Sequence, residues 1–173
     1  MKKFLLFVLL LAICFVGCTS TSAENGGEQS AGETMPAVST AGISSSDFSD
    51  ALGKEWKLTS VLIGGKDSNF DRNVLLKDFG DIFTLTFDAE RLSGVAAPNR
   101  YFAPYTLGTG NEIKVGHAAG TLMAAFREPD KLKEYDFLTY IQNSYQWSLT
   151  GSNLELLSKT SDGIEVVLIL CSN

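Results

Sequence analysis

The sequence predicts an α+β domain: an antiparallel sheet of about seven or eight strands with one main helix covering a face. Segments between Gly53 and Asn173 alternate apolar and polar residues with period two. Three strand-length runs stand together at the C-terminal end with short polar stretches between them, and one segment near residue 135 has apolar residues at helical spacing.

Trp56, Leu58, Ser60 and Leu62 form the first alternating run, and Phe83, Leu85 and Phe87 the second. Arg100 to Leu107 is aromatic and interrupted by Pro104, which predicts an edge strand or a bulge. Glu112 to Val115 is a short strand after the turn Gly108-Thr109-Gly110-Asn111. Gly116 to Phe126, with Ala118, Ala119, Leu122, Met123 and Ala124, reads as a shorter turn or helix. The main helix is expected from Glu128 to about Gln142: Leu132, Tyr135, Leu138 and Ile141 share a face that Phe137 and Tyr140 widen. Pro129 suits a first helical turn, and Glu128 and Asp130 oppose the positive end of the helix dipole. Tyr145 to Leu149, Leu154 to Ser158 and Ile164 to Cys171 then form a three-stranded meander.

Ahead of this domain, Lys2 and Lys3 precede an apolar run of thirteen residues, Phe4 to Val16, followed by Gly17-Cys18. A membrane span needs roughly 20 apolar residues, so the run reads as a signal peptide over residues 1–17. A cysteine directly after a small residue is where bacterial lipoprotein processing attaches diacylglycerol and cuts, which makes Cys18 the expected lipidation site. The alternative is plain secretion, and Phe15 stands where the lipoprotein pattern most often carries Leu. Thr19 favours the outer membrane under the sorting rule of enteric bacteria. The expected location is the bacterial cell envelope, with the domain in the periplasm or at the cell surface.

Residues 18–50 read as the lipidated cysteine and a tether. From Thr19 to Asp50 there is no Lys or Arg and almost no large apolar residue, so the segment buries too little to offset its ordering entropy. Ser44 to Leu52 is expected to form a lead-in turn or short helix, with Phe48 and Leu52 touching the domain of residues 51–173.

Loss of Lys2 and Lys3 with the signal leaves twelve basic residues against twenty acidic ones, a formal charge of −8. That argues against nucleic acid, whose phosphates demand clustered Lys and Arg, and against a polybasic grip on anionic lipid. Membrane attachment is therefore expected through acyl chains. Cys14 leaves with the signal and Cys18 is acylated, so Cys171 is the one thiol left. In an oxidising compartment an odd cysteine is either a reactive or intermolecular thiol or a small buried hydrophobe, and its place at the end of the run Val166 to Leu170 favours the buried reading.

The search for chemistry is mostly negative. His117 is the only histidine, so multi-histidine metal sites are excluded and a histidine-dependent triad must use it. Neither a Gly-x-Ser-x-Gly elbow nor a Ser-x-x-Lys pair occurs, nor a P-loop or dinucleotide fingerprint. No catalytic residue, cofactor or metal is expected. Asp67-Ser68-Asn69-Phe70-Asp71-Arg72-Asn73 opens like a calcium loop but has Arg72 where glycine is needed and Asp78 where a bidentate Glu is needed. Its flanks read as strand and loop, so it is expected to be a solvated acidic loop. Tyr101, Phe102 and Tyr105 either line a recognition surface or pack in the core.

From Gly53 to Cys171 the chain resembles the META domain, also called the heat-shock-protein HslJ-like domain. Gly53-Lys54-Glu55-Trp56-Lys57-Leu58 is similar to the family's opening Gly-x-x-Trp-x-Leu. Ala97-Pro98-Asn99-Arg100-Tyr101 stands at the Gly-Cys-Asn-x-Tyr/Phe motif after Phe83 to Phe87 and Ser93-Gly94. Thr121-Leu122-Met123-Ala124-Ala125 stands at Thr-x-Met-Ala-Cys, before a helix matched by Glu134 to Ile141. Gly151 to Leu156 stands at the closing Gly-x-x-Leu-x-Leu. Both motif cysteines are replaced, by Pro98 and Ala125.

The resemblance implies a strongly curved, partly barrel-like sheet with one main helix, and an association with heat-shock or antibiotic stress rather than a reaction. Its motif residues Trp56, Asn99, Tyr101, Thr121 and Met123 are expected to be structural, the polar ones satisfying turns and the thioether packing in the core. The leading reading is a non-enzymatic, membrane-anchored lipoprotein that binds or stabilises other envelope components. The alternatives are a carrier or sensor of a small apolar ligand or lipid, held between helix and sheet, and an envelope hydrolase built on His117.

Overall fold

The computed structural model describes residues 47–172. Cys18, the apolar run before it and the tether through residue 46 lie outside the described residues. A 3-10 turn, Phe48–Ala51, leads into β1 (Glu55–Ile63), β2 (Lys66–Asp67), α1 (Arg72–Phe79), β3 (Thr84–Phe87), β4 (Arg91–Val95) and β5 (Arg100–Leu107). There follow β6 (Ile113–Val115), β7 (Ala119–Gly120), α2 (Glu134–Gln142), β8 (Gln146–Thr150), β9 (Asn153–Lys159) and β10 (Glu165–Ser172).

The strands form antiparallel ladders in the order β6-β5-β4-β3-β1-β10-β9-β8, with β2 added to β1 and β7 to β5. The two ends of this path meet. Glu112 bridges Gln146, the Ile113 N–H donates to Tyr145 O at 3.1 Å, and the Trp147 N–H donates to Asn111 O at 2.9 Å. The curved sheet is thus an almost closed barrel with α2 as its main helix, as the family resemblance implies.

Inward residues fill the barrel. Val166, Leu168 and Leu170 of β10 and Leu154 and Leu156 of β9 are fully buried, and Phe83, Phe137 and Tyr101 pack with ring centroids 4.9 and 5.8 Å from Phe137. The lead-in turn contributes Phe48, whose ring lies 5.0 Å from both Phe87 and Trp147. Although Phe48 falls at the end of the expected tether, it is a core residue. Leu52 is partly exposed and bridges to Phe87.

Several local expectations are corrected. In β1 the register against β10 slips between Leu58 and Ser60, a bulge that turns the inward face from Trp56 and Leu58 to Val61, leaving Ser60 and Leu62 half-buried. Cys171 lies on the outward row of β10 with Val167 and Ile169 and is half-buried, because strand alternation sends Leu170 and Ser172 inward instead. β5 is no edge strand: β4 pairs on one side and β7 and β6 on the other. Pro104 is tolerated because it falls in the gap between the β7 ladder at Tyr101 and Phe102 and the β6 ladder from Tyr105 to Leu107.

The helix expected from Glu128 begins at Glu134, since Lys133 is extended, and Pro129 and Leu132 lie in the loop before it. Leu132 is nonetheless buried, while Tyr135 is exposed and Phe137, Tyr140 and Ile141 form the inward face. Gly116 to Phe126 contains no helix, only the two residues of β7. The acidic loop is followed not by a loop but by α1, whose N-terminus Asp71 caps by accepting the Asn73 and Val74 N–H groups at 2.8 and 3.3 Å.

Candidate functional site

The polar motif residues converge on one clasp. Asn99, at the start of β5, is buried, and its side-chain oxygen accepts from the Thr121 hydroxyl at 2.8 Å and the Met123 N–H at 2.7 Å. Its amide nitrogen donates to Met123 O at 3.2 Å and to Glu134 Oε2 at 2.9 Å. An asparagine side chain has two acceptor and two donor positions, so all four are used within the domain. Glu134 Oε1 accepts in addition from the Ala97 and Asn99 N–H groups at 3.1 and 2.9 Å. The Thr121 hydroxyl also accepts from the Arg100 N–H at 3.2 Å, and the Thr121 N–H donates to Arg100 O at 3.0 Å.

Three segments are thereby locked together: the β4–β5 hairpin, the 121–123 segment and the first turn of α2. This is why α2 starts at Glu134. Its carboxylate is spent on the hairpin backbone, and the extended residue before it lets the chain turn in. Gly120 allows the approach, because a Cβ there would stand 2.7 Å from Arg100 O.

The other motif residues divide between core and surface. Trp56 is fully buried and its Nε1–H donates to Ala51 O at 3.0 Å, fixing the lead-in turn on β1. The Tyr101 hydroxyl donates to Thr84 O at 2.9 Å, and burial pushes its phenol above the ordinary value. Met123 departs from its expected place in the core: its backbone is clasped while its side chain is 55% exposed. Tyr101 and Tyr105 point inward and Phe102 outward, so alternation divides the aromatic cluster.

Around Met123 lies the largest apolar exposure of the described residues. Leu122 is 99% exposed and Phe126 106%. Beside them, Met123, Ala124, Ala125 and Phe126 line a cleft of about 500 Å³ together with Phe79, Ile82, Ala97 and Pro98. Pro98 and Ala125, which occupy the motif-cysteine positions, thus share one cleft. A second cleft of about 440 Å³, between α1 and the 127–132 loop, is lined by Phe70, Val74, Leu75, Phe79 and Leu132 among others. Asp78 and Arg127 touch both clefts and pair at 2.9 Å, and the Arg127 guanidinium lies 4.7 Å from the centre of the Phe79 ring.

At the other flank of α1, Arg72 Nη1 donates to Leu58 O and Ile82 O, both at 3.1 Å, and Nη2 pairs with Asp81. Lys57 Nζ lies 2.6 Å from the second oxygen of Asp81. The Lys57 hydrogen bond, against the opposing effect of burial, holds the Asp81 carboxyl below its ordinary value, with the Arg72 charge adding to it.

His117 is exposed on the segment between β6 and β7. Asp67 accepts the Asn69 N–H at 2.8 Å and Asp71 caps α1, so the calcium-like string is spent on turns. Among the described residues no three His, Cys, Asp or Glu side chains group as a metal site.

Residues 49–169 match the META domain family, a span that holds the clasp, both helices and the barrel strands except the last three residues of β10. The chain belongs to this family. A protein from Burkholderia xenovorans, solved by NMR, is similar to this META domain chain at 18% identity, covering 72% of this chain and 85% of that one with a TM-score of 0.54, a likeness of fold. A DUF4847 family protein from Bacteroides vulgatus, solved by crystallography, aligns at 12% identity over 73% of this chain and 96% of that one, with a TM-score of 0.49. No curated protein matches the chain.

In this META domain, Glu134 is the clasp residue that motif reading misses as a site, because the Thr-x-Met-Ala-Cys pattern ends nine residues earlier. Its one signal in the sequence is the resemblance, which begins the helix at Glu134 where the apolar spacing begins it at Glu128.

Proposed function

We propose that this META domain chain is a non-enzymatic lipoprotein of the cell envelope, tied to the membrane through Cys18, whose domain acts as an interaction or stabilising module. The observation that carries this reading is the exposed apolar segment Leu122 to Phe126 rooted in a clasp. The motif's polar groups hold a surface in place instead of facing a reactant. Apolar surface concentrated on a fixed loop is the mark of an interaction site. The basic, short apolar leader ending at Gly17-Cys18 supports the anchor.

The test has two parts. A clickable fatty acid fed to a bacterial host is expected to label the chain and carry it to the membrane fraction, with Cys18→Ser losing both; label retained by that variant sinks the anchor. Under heat or antibiotic stress, a strain lacking the protein is expected to be rescued by the parent and by His117→Ala but not by the paired Leu122→Asp/Phe126→Asp variant. Loss of rescue with His117→Ala alone would move the reading towards a hydrolase.

A second reading, carriage of a small apolar ligand, is favoured by the apolar cleft of about 440 Å³ beside α1. The barrel interior is occupied by its own rings, so such a ligand belongs outside it, against Phe70, Val74 and Phe79. Native mass spectrometry of chain extracted from its own envelope checks this: a bound apolar mass released on denaturation supports carriage, and a bare chain removes it.

A further inference from the structure

We propose that the segment Leu122–Phe126 is a membrane-inserting wedge that seats the domain on the lipid surface to which Cys18 ties it, an inference that rests on the anchored reading above. Leu122, Met123 and Phe126 place three exposed large apolar side chains within five residues, two of them wholly surrounded by solvent. Scattered exposed apolar residues are ordinary on a monomer; a protruding cluster is not. The segment is neither helix nor long strand, yet its root is fixed by three hydrogen bonds of the Asn99 side chain, one with Thr121 and two with the Met123 backbone. Little ordering remains to be done when its tips are buried.

Protruding side chains suit a fluid apolar phase that closes around them. Arg127 directly follows the wedge and Arg100 is hydrogen-bonded to its base, while Lys131 and Lys133 are exposed on the next loop. Cationic side chains next to an inserted apolar segment can lie among lipid headgroups while their stems cover apolar surface. Asp78, Glu128 and Asp130 offset much of that charge, so the contact is driven by apolar burial and depends weakly on salt.

The chain outside the described residues names this occupant. Twenty-eight residues separate Cys18 from Asp47, and at about 3.3–3.6 Å each they cannot exceed roughly 100 Å. A domain of this size has a radius of gyration of about 14 Å, so a tether within that limit reaches round it from any side. The bilayer is then held permanently at high effective concentration beside the wedge. A second copy is a poorer occupant: three such side chains offer roughly 500 Å², against about 800 Å² per partner in a stable interface.

The test uses the full acylated chain carrying Phe126→Trp, a change at a wholly exposed position, in vesicles of phosphatidylethanolamine and phosphatidylglycerol with brominated acyl chains. Trp56 and Trp147 are buried and give the parent's background. Blue-shifted emission, quenched by the bromolipid at least ~2-fold more strongly than in the parent, is expected for a wedge in the acyl region. Water-like, unquenched emission overturns the proposal. Blue-shifted emission that bromolipid leaves unquenched and that grows with protein density also overturns it, in favour of a protein partner or second copy. Intact mass reports the acyl chains separately. A chain without them refutes the anchor, while quenching by added vesicles still decides the wedge.

Discussion

Asn99 shows how one side chain can hold three segments. Removing it strands the Met123 N–H, the Thr121 hydroxyl and one oxygen of Glu134 in a part-buried place, where each lost partner costs more than an exposed hydrogen bond yields. Asn99→Ala is expected to lower the unfolding free energy by about 2–3 kcal/mol in urea titration. Met123→Ala, whose clasped part is backbone, is expected to change it by no more than about 0.5 kcal/mol. Equal losses in the two variants would contradict the clasp. Phe48 belongs at the same scale: it packs edge-on against Phe87 and Trp147, and Phe48→Ala is expected to cost about 3–5 kcal/mol. A much smaller loss would return that residue to the tether.

Among the elements, α1 depends most on a few polar contacts, since only Leu75 of it is buried. Arg72 ties it to the backbone of Leu58 and Ile82 and to Asp81. Arg72→Leu is expected to remove hydrogen-exchange protection from α1 while β9 and β10 keep theirs. The Asp81 carboxyl titrates below its ordinary value of 3.8 when folded. Its contribution is therefore complete above that value and disappears as pH falls through the lowered one. Asp81→Asn should flatten the acid limb of a urea-midpoint profile and leave the slope around neutrality unchanged. A limb as steep as the parent's would show that other carboxylates carry it.

α1 also marks where the sequence became hard to read. Asp71 signals a cap, but Val74, Leu76 and Phe79 give no clean inward face, and the short helix was hidden inside an apparent loop. In α2 the apolar spacing was visible while its start was not, because Glu134 answers to a hairpin more than thirty residues away in the chain. The bulge in β1 is likewise invisible in Trp56, Leu58, Ser60 and Leu62; it exists in the pairing with β10.

At the scale of the molecule, closure is made by few bonds. Asn111 joins β6 to β8 through its backbone and through Nδ2, which donates to Trp147 O at 3.0 Å. Asn111→Ala is expected to speed amide exchange at Ile113 and Trp147 first, with a stability loss of about 1 kcal/mol. Uniform protection along the seam would show that closure does not depend on that side chain.

The α+β class, the C-terminal meander and the charge balance could all be read from the sequence, because periodicity, turn chemistry and composition are local, and the proposed anchor at Cys18 rests on the sequence alone. The motif residues could be found there too, but not their use. Whether Met123 was core or surface, which row of β10 carried Cys171, and whether the sheet closed all depended on partners distant along the chain. Burial and register are properties of pairs of elements, and only the tertiary structure brings those pairs together.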